Sequence, residues 1–185
     1  MKKIYIVLSQ SYSILAKTIK LFTKDKYSHI SISFDEDCTN MYSIGRKYKY
    51  CPFVGKYVNE SIYKGLYSIS PRAEILIYEL SISDEQYENI KRLLDKYGIS
   101  CKGYNFLGLV LAIFNKKINR RKYYCSEFIY KILSDDSVKL FGKTKKIVKP
   151  MNFEKIENLK FVYEGKIIDY KLKKISTLNL FDKVI

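Results

Sequence analysis

The feature that most constrains the fold is the stretch 123–133, where apolar side chains recur with helical spacing. They occupy positions i, i+3, i+4, i+7 and i+8, one face of an amphipathic helix: Cys125, Phe128, Ile129, Ile132 and Leu133. Glu127 falls in the first turn, where an acidic side chain suits the positive end of the helix dipole. The pattern predicts a helix that begins at Cys125 and turns this face toward the interior.

The position of Cys125 leaves two interpretations open. At a helix N-terminus, the free N–H groups and the dipole stabilise a thiolate. In an apolar core, the same residue would only fill space and its thiol would be inert. His29 is the only histidine of the chain, and it favours the reactive interpretation, because a cysteine and a histidine together can form a nucleophile and its base.

Length and composition favour a single folded domain over residues 1–185. The chain is 47% hydrophobic, which argues against disorder, and 185 residues can enclose a core. The apolar run that follows the first lysines is too short for a signal peptide, and the longest apolar run, 106–114, is too short to span a bilayer. We therefore expect a soluble, cytoplasmic protein.

The basic charge limits the partners without naming one. The net charge is +15, and only five of the 34 basic residues are Arg. Lysine is poorer than Arg at bidentate recognition of bases and phosphates, so we expect no specific nucleic-acid binding. The surplus favours weak association with anionic surfaces. Without a secretion signal we expect no disulfides, and one histidine with four cysteines that lack paired spacing argues against a zinc site.

Two strands are predicted to carry the histidine side of the site. Residues 29–34 alternate strictly, so the polar His29 shares one strand face with Ser31 and Ser33, and that face suits the wall of a cleft. Residues 40–45 form the antiparallel partner after an acidic turn. A tight hairpin would set Ser43 and Ile44 across from His29, although a slip of one residue changes the facing side chain.

The remaining elements complete an α+β pattern. Residues 3–9 and 72–81 read as strands, and Ser11 or Ser13 can begin a helix that runs to about Thr23. A capping box at 83–86 opens a helix that should stop at Gly98, and 104–114 reads as a buried helix. Residues 46–59 form a long basic, aromatic loop, either a solvated connection or a rim for substrate. Residues 161–170 resemble a hairpin that turns at 164–165.

With His29 opening a strand and Cys125 opening a later helix, the chain resembles the permuted papain-like cysteine hydrolases. This circularly permuted branch of the NlpC superfamily includes bacterial amidases, lipid-directed hydrolases and lecithin–retinol acyltransferase-like proteins. The segments 27–32 and 124–130 carry the resemblance, with 40–46 between them. It spans about residues 3–135 and leaves 136–185 as a C-terminal extension. It implies an antiparallel sheet or partial barrel against which the cysteine-bearing helix packs.

The resemblance also implies a site and a reaction. Cys125 would be the nucleophile and His29 the base and acid, with a third polar residue on the neighbouring strand. That strand offers Asn40, Tyr42 or Ser43, and the hairpin count favours Ser43. Tyr42 and Arg46 are the predicted substrate-binding residues, and no metal or cofactor is needed.

The predicted function is a cysteine-dependent hydrolase or acyltransferase that cleaves an amide or ester through a thioester. Two alternatives stay open at this point: a non-catalytic binding module on the same fold, and a basic protein that binds nucleic acid or an anionic surface. Peptide, cell-wall amide, lipid ester and acyl thioester fit the same pair of residues, and the oligomeric state is open.

Overall fold

The protein has a mixed α+β fold built on one six-stranded antiparallel sheet. The computed structural model describes residues 1–11, 20–21, 24–46, 55–70, 72–100, 123–136, 138–140 and 148–181. The strands are β1 (Lys2–Gln10), β2 (His29–Ser33), β3 (Met41–Arg46), β4 (Gly55–Glu60), β5 (Glu74–Ile82) and β6 (Lys160–Lys166). Their order in the sheet is β4-β3-β2-β1-β5-β6, and every neighbouring pair is antiparallel.

Three helices and a short 3₁₀ helix accompany the sheet. They are α1 (Asp84–Ser100), α2 (Cys125–Asp135), α3 (Ile167–Phe181) and the 3₁₀ helix Pro150–Lys155. This confirms the α+β class predicted from the sequence. No helix within the described ranges is both long enough and apolar enough to cross a bilayer.

Strand β1 lies between β2 and β5 and is buried on both faces, which explains its almost continuous apolar sequence. Ile4, Ile6 and Leu8 point into the core under α1 and α2. Tyr5 and Val7 point into a second core cluster, which includes residues of α3. The sheet therefore separates two apolar layers, and the predicted strand 3–9 is confirmed.

Helix α2 packs on the first of these layers with the face that the sequence predicted. All of its predicted inward residues are buried in one cluster with Ile30, Ile32 and Ile44 of the sheet. Burying side chains of this size contributes roughly 1.5–3 kcal/mol each. This packing fixes the start of α2 relative to strands β2 and β3.

Helix α1 begins as predicted and ends later. Ser83 and Gln86 form the reciprocal hydrogen bonds of a capping box, at 3.0 and 3.1 Å. The helix continues past Gly98, because this glycine serves packing rather than termination. A Cβ there would lie 2.8 Å from the ring of Tyr57, so only glycine lets the ring approach so closely.

Two other expectations were wrong. Residues 55–59, placed in a long loop, form with Glu60 the edge strand β4, which pairs along its whole length with β3. Because an edge strand is half exposed, its sequence lacks the apolar alternation of an inner strand. Residues 161–170 form no hairpin: β6 pairs with β5 through Lys166, and α3 begins at the next residue.

The misleading signal was Gly165. It has a φ of +154°, and a Cβ at this position would lie 2.6 Å from the hydroxyl of Tyr163. The glycine therefore permits a close approach within the strand. The predicted helices up to Thr23 and over 104–114 lie outside the described residues, apart from the helical pair 20–21.

Candidate active site

Cys125 is the first residue of α2, and three features hold it there. Tyr124 before it is extended, with φ −102° and ψ 171°. The carbonyl of Tyr124 accepts the first helical hydrogen bond, from the N–H of Phe128 at 3.0 Å. The buried hydroxyl of Ser126 donates to the carbonyl of Val148 at 2.7 Å, which ties the helix start to the segment before the 3₁₀ helix. The sulfur is thus set at a defined point, with 5% of the residue exposed.

His29 stands at the start of β2, opposite Ser9 of β1. The sulfur of Cys125 lies near enough to the ring to raise the pKa of His29. Two residues that are far apart in the sequence are therefore brought close together. The first residue of a strand and the first residue of a helix meet because α2 packs across β2 and β3.

Glu60, the last residue of β4, is the second partner of His29. Its Oε2 lies 2.9 Å from Nε2 of the ring. The hydroxyl of Ser31 donates to the same oxygen at 2.9 Å and lies 3.3 Å from the ring nitrogen. A carboxylate that is itself fixed by a hydrogen bond is well suited to hold an imidazole in one orientation.

These contacts change the acidity of the ring. Burial by itself would lower the pKa of His29, but the charge of Glu60 and the hydrogen bonds to Cys125 and Glu60 outweigh it and raise the pKa to about 10. The ring is therefore a cation at neutral pH, and both of its nitrogens are donors. It faces a carboxylate on one side and a sulfur on the other.

Gly45 makes room for this arrangement. Continuing the register of β2 and β3, in which Ile32 pairs with Tyr42, sets Gly45 opposite His29. A Cβ on Gly45 would lie 2.9 Å from Val58 and 3.1 Å from Oε1 of Glu60. Any side chain here would crowd the carboxylate that reaches from β4 over β3 to the histidine on β2.

Ser43 does not take the role predicted for it from the sequence, which was to orient the ring of His29. Its buried hydroxyl donates to the carbonyl of Ile30 at 2.8 Å. The residue hydrogen-bonded to the ring is Glu60. Counting residues along the predicted hairpin therefore identified the wrong partner for His29. The physical reason is the register, which sets Gly45 rather than Ser43 or Ile44 across from His29.

The two predicted substrate-binding residues are both on β3. Tyr42 is half-buried among aromatic rings, stacked on Tyr57 at 6.2 Å between centroids and edge-on to Phe34 at 5.7 Å. These contacts make it part of the core margin. Arg46 ends β3 opposite Gly55, and its side chain lies outside the described part of the structure.

Glu60 was not predicted as a site residue, because the predicted loop covered 46–59 and ended one residue before Glu60. One signal was present in the sequence: a lone carboxylate at the end of a segment with Tyr and Val side chains, at the length of an edge strand. His29 and Glu60 are far apart in the sequence, and only the pairing of β3 with β4 brings their side chains into contact.

The comparisons with known proteins bear on the fold of the chain and not on its function. No protein-family model matches the sequence, and no curated protein matches it. Among solved structures, the chain is similar to the metalloprotein yiiX from Escherichia coli O157:H7, described as DUF1105. The two are 17% identical, the match covers 89% of this chain and 98% of that one, and the TM-score is 0.53.

That description calls yiiX a metalloprotein, so the residues of this chain were compared with the requirements of a metal site. In the described parts of the chain, no group of three or more His, Cys, Asp or Glu residues is arranged to hold a metal ion. The similarity therefore carries the sheet and helix arrangement to this chain, and the site must be argued from its own residues.

Proposed function

We propose that the protein is a cysteine-dependent hydrolase or acyltransferase with the permuted papain-like fold. The observation that carries the proposal is the chain of contacts from Cys125 to His29 to Glu60. A thiolate beside an imidazolium that a carboxylate orients is the arrangement on which acyl transfer by cysteine depends. The fold of yiiX and the inward face of α2 are compatible with this assignment.

The proposed reaction has two halves. The Cys125 thiolate attacks the carbonyl carbon of an amide or ester, and the carbonyl oxygen becomes an oxyanion. The backbone N–H of Cys125 is one of the N–H groups that a helix start leaves without an intrahelical partner, and it stabilises that oxyanion. As the tetrahedral intermediate collapses, imidazolium His29 gives its proton to the leaving amine or alcohol, and a thioester remains.

In the second half, water or an acceptor attacks the thioester. His29 removes the proton of the attacking group, and the acyl group departs from sulfur, which restores the thiolate and the imidazolium. Glu60 holds Nε2, so Nδ1 is the ring nitrogen that serves the sulfur and the leaving group. Neither half requires a metal or a cofactor.

The first test is alkylation of Cys125. We expect iodoacetamide to label Cys125 of the native protein rapidly below pH 8, and the His29→Asn variant to label slowly at the same pH. Cys38 is a control within the same molecule, because burial and the carboxylates of residues 35–37 raise the pKa of its thiol. Equal, slow labelling of both cysteines would instead fit a binding module without a reactive thiol.

The second test detects the covalent intermediate. The wild-type protein is mixed with p-nitrophenyl acetate, an activated ester that needs little substrate recognition. We expect a burst of p-nitrophenol and an acetyl group on the Cys125 peptide by mass spectrometry, both absent from Cys125→Ala. Faster release of p-nitrophenol with added hydroxylamine would show that the acyl group can pass to an amine, as an acyltransferase requires. A burst that persists in Cys125→Ala would contradict the proposal.

The predicted cytoplasmic location and the substrate class stay predictions. The reaction requires a reduced Cys125, which suits a reducing compartment. Amide and ester substrates make the same demands on the three side chains, so the choice between them belongs to substrate screening.

A further inference from the structure

Helix α3 has an apolar face that the described structure leaves uncovered. Ile168, Leu172 and Ile175 are 40%, 57% and 51% exposed. They stand at i, i+4 and i+7 and therefore form one stripe along the helix. The opposite side of α3 is satisfied, because Ile167 and Tyr170 are buried in the second core cluster. We call the three exposed residues the α3 stripe.

The helix that carries the α3 stripe is firmly attached to the sheet. The hydroxyl of Tyr170 donates to the carbonyl of Glu36 at 2.7 Å. Lys174 lies 2.6 Å from the carboxylate of Glu36 and 2.9 Å from that of Asp37. These contacts hold the buried side of α3 against the body, so the α3 stripe is presented outward on a fixed support.

The surroundings of the α3 stripe are basic and aromatic. The amine of Lys171 lies over the ring of Tyr63, 5.2 Å from its centroid, and that tyrosine is itself exposed. Residues 160–181 contain five lysines against two acidic residues, and the whole chain has a net charge of +15. Apolar side chains flanked by lysine and tyrosine are typical of a helix that lies at a membrane surface.

We propose that the α3 stripe docks onto the surface of an anionic lipid bilayer. The three side chains enter the boundary between headgroups and acyl chains, while Lys171 contacts anionic headgroups. A second copy of the chain fits less well, because two surfaces of the same positive sign repel. Three side chains also offer far less than the roughly 800 Å² per partner of a standard protein interface.

The test measures binding of the full chain to extruded vesicles by flotation. One set contains phosphatidylglycerol and phosphatidylcholine, and the other contains phosphatidylcholine alone. We expect the wild-type protein to float with the anionic vesicles and to be released by added salt. Each of Leu172→Gln and Ile175→Gln should lower the partition coefficient about five-fold. The reason is that about half of each apolar side chain is exposed in the free protein and would be buried in the bilayer.

Phe161→Gln is the matched control. Phe161 is 58% exposed, about as much as Leu172, but it lies at the far end of β6 from α3. We expect its partition coefficient to equal that of the wild-type protein. Circular dichroism checks that each variant is folded, and Ile168→Gln replaces any variant that is not.

Four results of the vesicle assay would overturn the proposal. They are equal binding to neutral vesicles, no binding to anionic vesicles, full binding by the folded Leu172 and Ile175 variants, and a fall with Phe161→Gln as large as theirs. A wild-type dimer in sedimentation that the Leu172 variant abolishes would also overturn it, since the α3 stripe would then be covered by a second copy. None of these measurements depends on the chemistry of Cys125.

Discussion

Replacing Glu60 by Gln tests the charge arrangement of the site most directly. The substitution keeps the shape of the side chain and removes its negative charge. Oε2 of Glu60 lies 2.9 Å from Nε2 of His29, and both side chains are mostly buried. The pKa of His29 should therefore fall in the variant.

The magnitude follows from the acidity of the ring. A rise in the pKa of His29 from 6.5 to about 10 corresponds to about 5 kcal/mol at 1.36 kcal/mol per unit. Glu60 shares this effect with Cys125, and a neutral amide still forms a hydrogen bond. We therefore assign roughly 2 kcal/mol to the lost charge, which is about a thirty-fold fall in the proton affinity of the ring.

The assay is the pH titration of the His29 ring by NMR on the folded protein, in which His29 is the only histidine. Ser43→Ala is the matched comparison, because Ser43 is the residue that the sequence favoured for the same role. Its hydroxyl donates to the carbonyl of Ile30, so we expect lower stability but a proton affinity of the His29 ring within about three-fold of wild type. A proton affinity of the ring as high in Glu60→Gln as in wild type, or an equal fall in Ser43→Ala, would refute the reasoning.

Two further predictions concern the same site. Because the pKa of His29 is raised on folding, its contribution to stability is fully present below pH 6.5 and is lost as the pH rises to about 10; urea unfolding should show a difference between wild type and His29→Asn that shrinks over that range. Gly45→Ala places a Cβ 2.9 Å from Val58 and 3.1 Å from Glu60, so it should cost about 1–3 kcal/mol of unfolding free energy and slow labelling of Cys125. Unchanged stability and labelling in Gly45→Ala would contradict the crowding argument.

The sequence predicted the parts of the fold that follow from local periodicity. The inward face of α2, the strands β1 and β2, and the capping box of α1 all depend on residues close together in the chain. Such patterns are set by hydrophobic burial and by hydrogen bonds between near neighbours, and both can be read from spacing. The placement of His29 and Cys125 at element starts followed from the same information.

What the sequence could not predict depends on pairing between distant segments. Glu60 joins the site only because β4 pairs with β3 and the register sets Gly45 opposite His29. A shift of one residue would turn each strand over, and the energy difference between registers comes from the whole sheet rather than from one turn. Gly98 and Gly165 misled for a related reason, because each glycine serves a close contact with a tyrosine ring or hydroxyl.

The position of β4 at the margin of the sheet makes the surroundings of His29 depend on an outer strand. β4 is hydrogen-bonded to a neighbouring strand on one side only, and outer strands open more readily than inner ones in local fluctuations. When β4 frays, Glu60 leaves His29 while β1 and β2 stay folded. We expect hydrogen exchange at β4, rather than global unfolding, to report how often His29 loses its carboxylate partner.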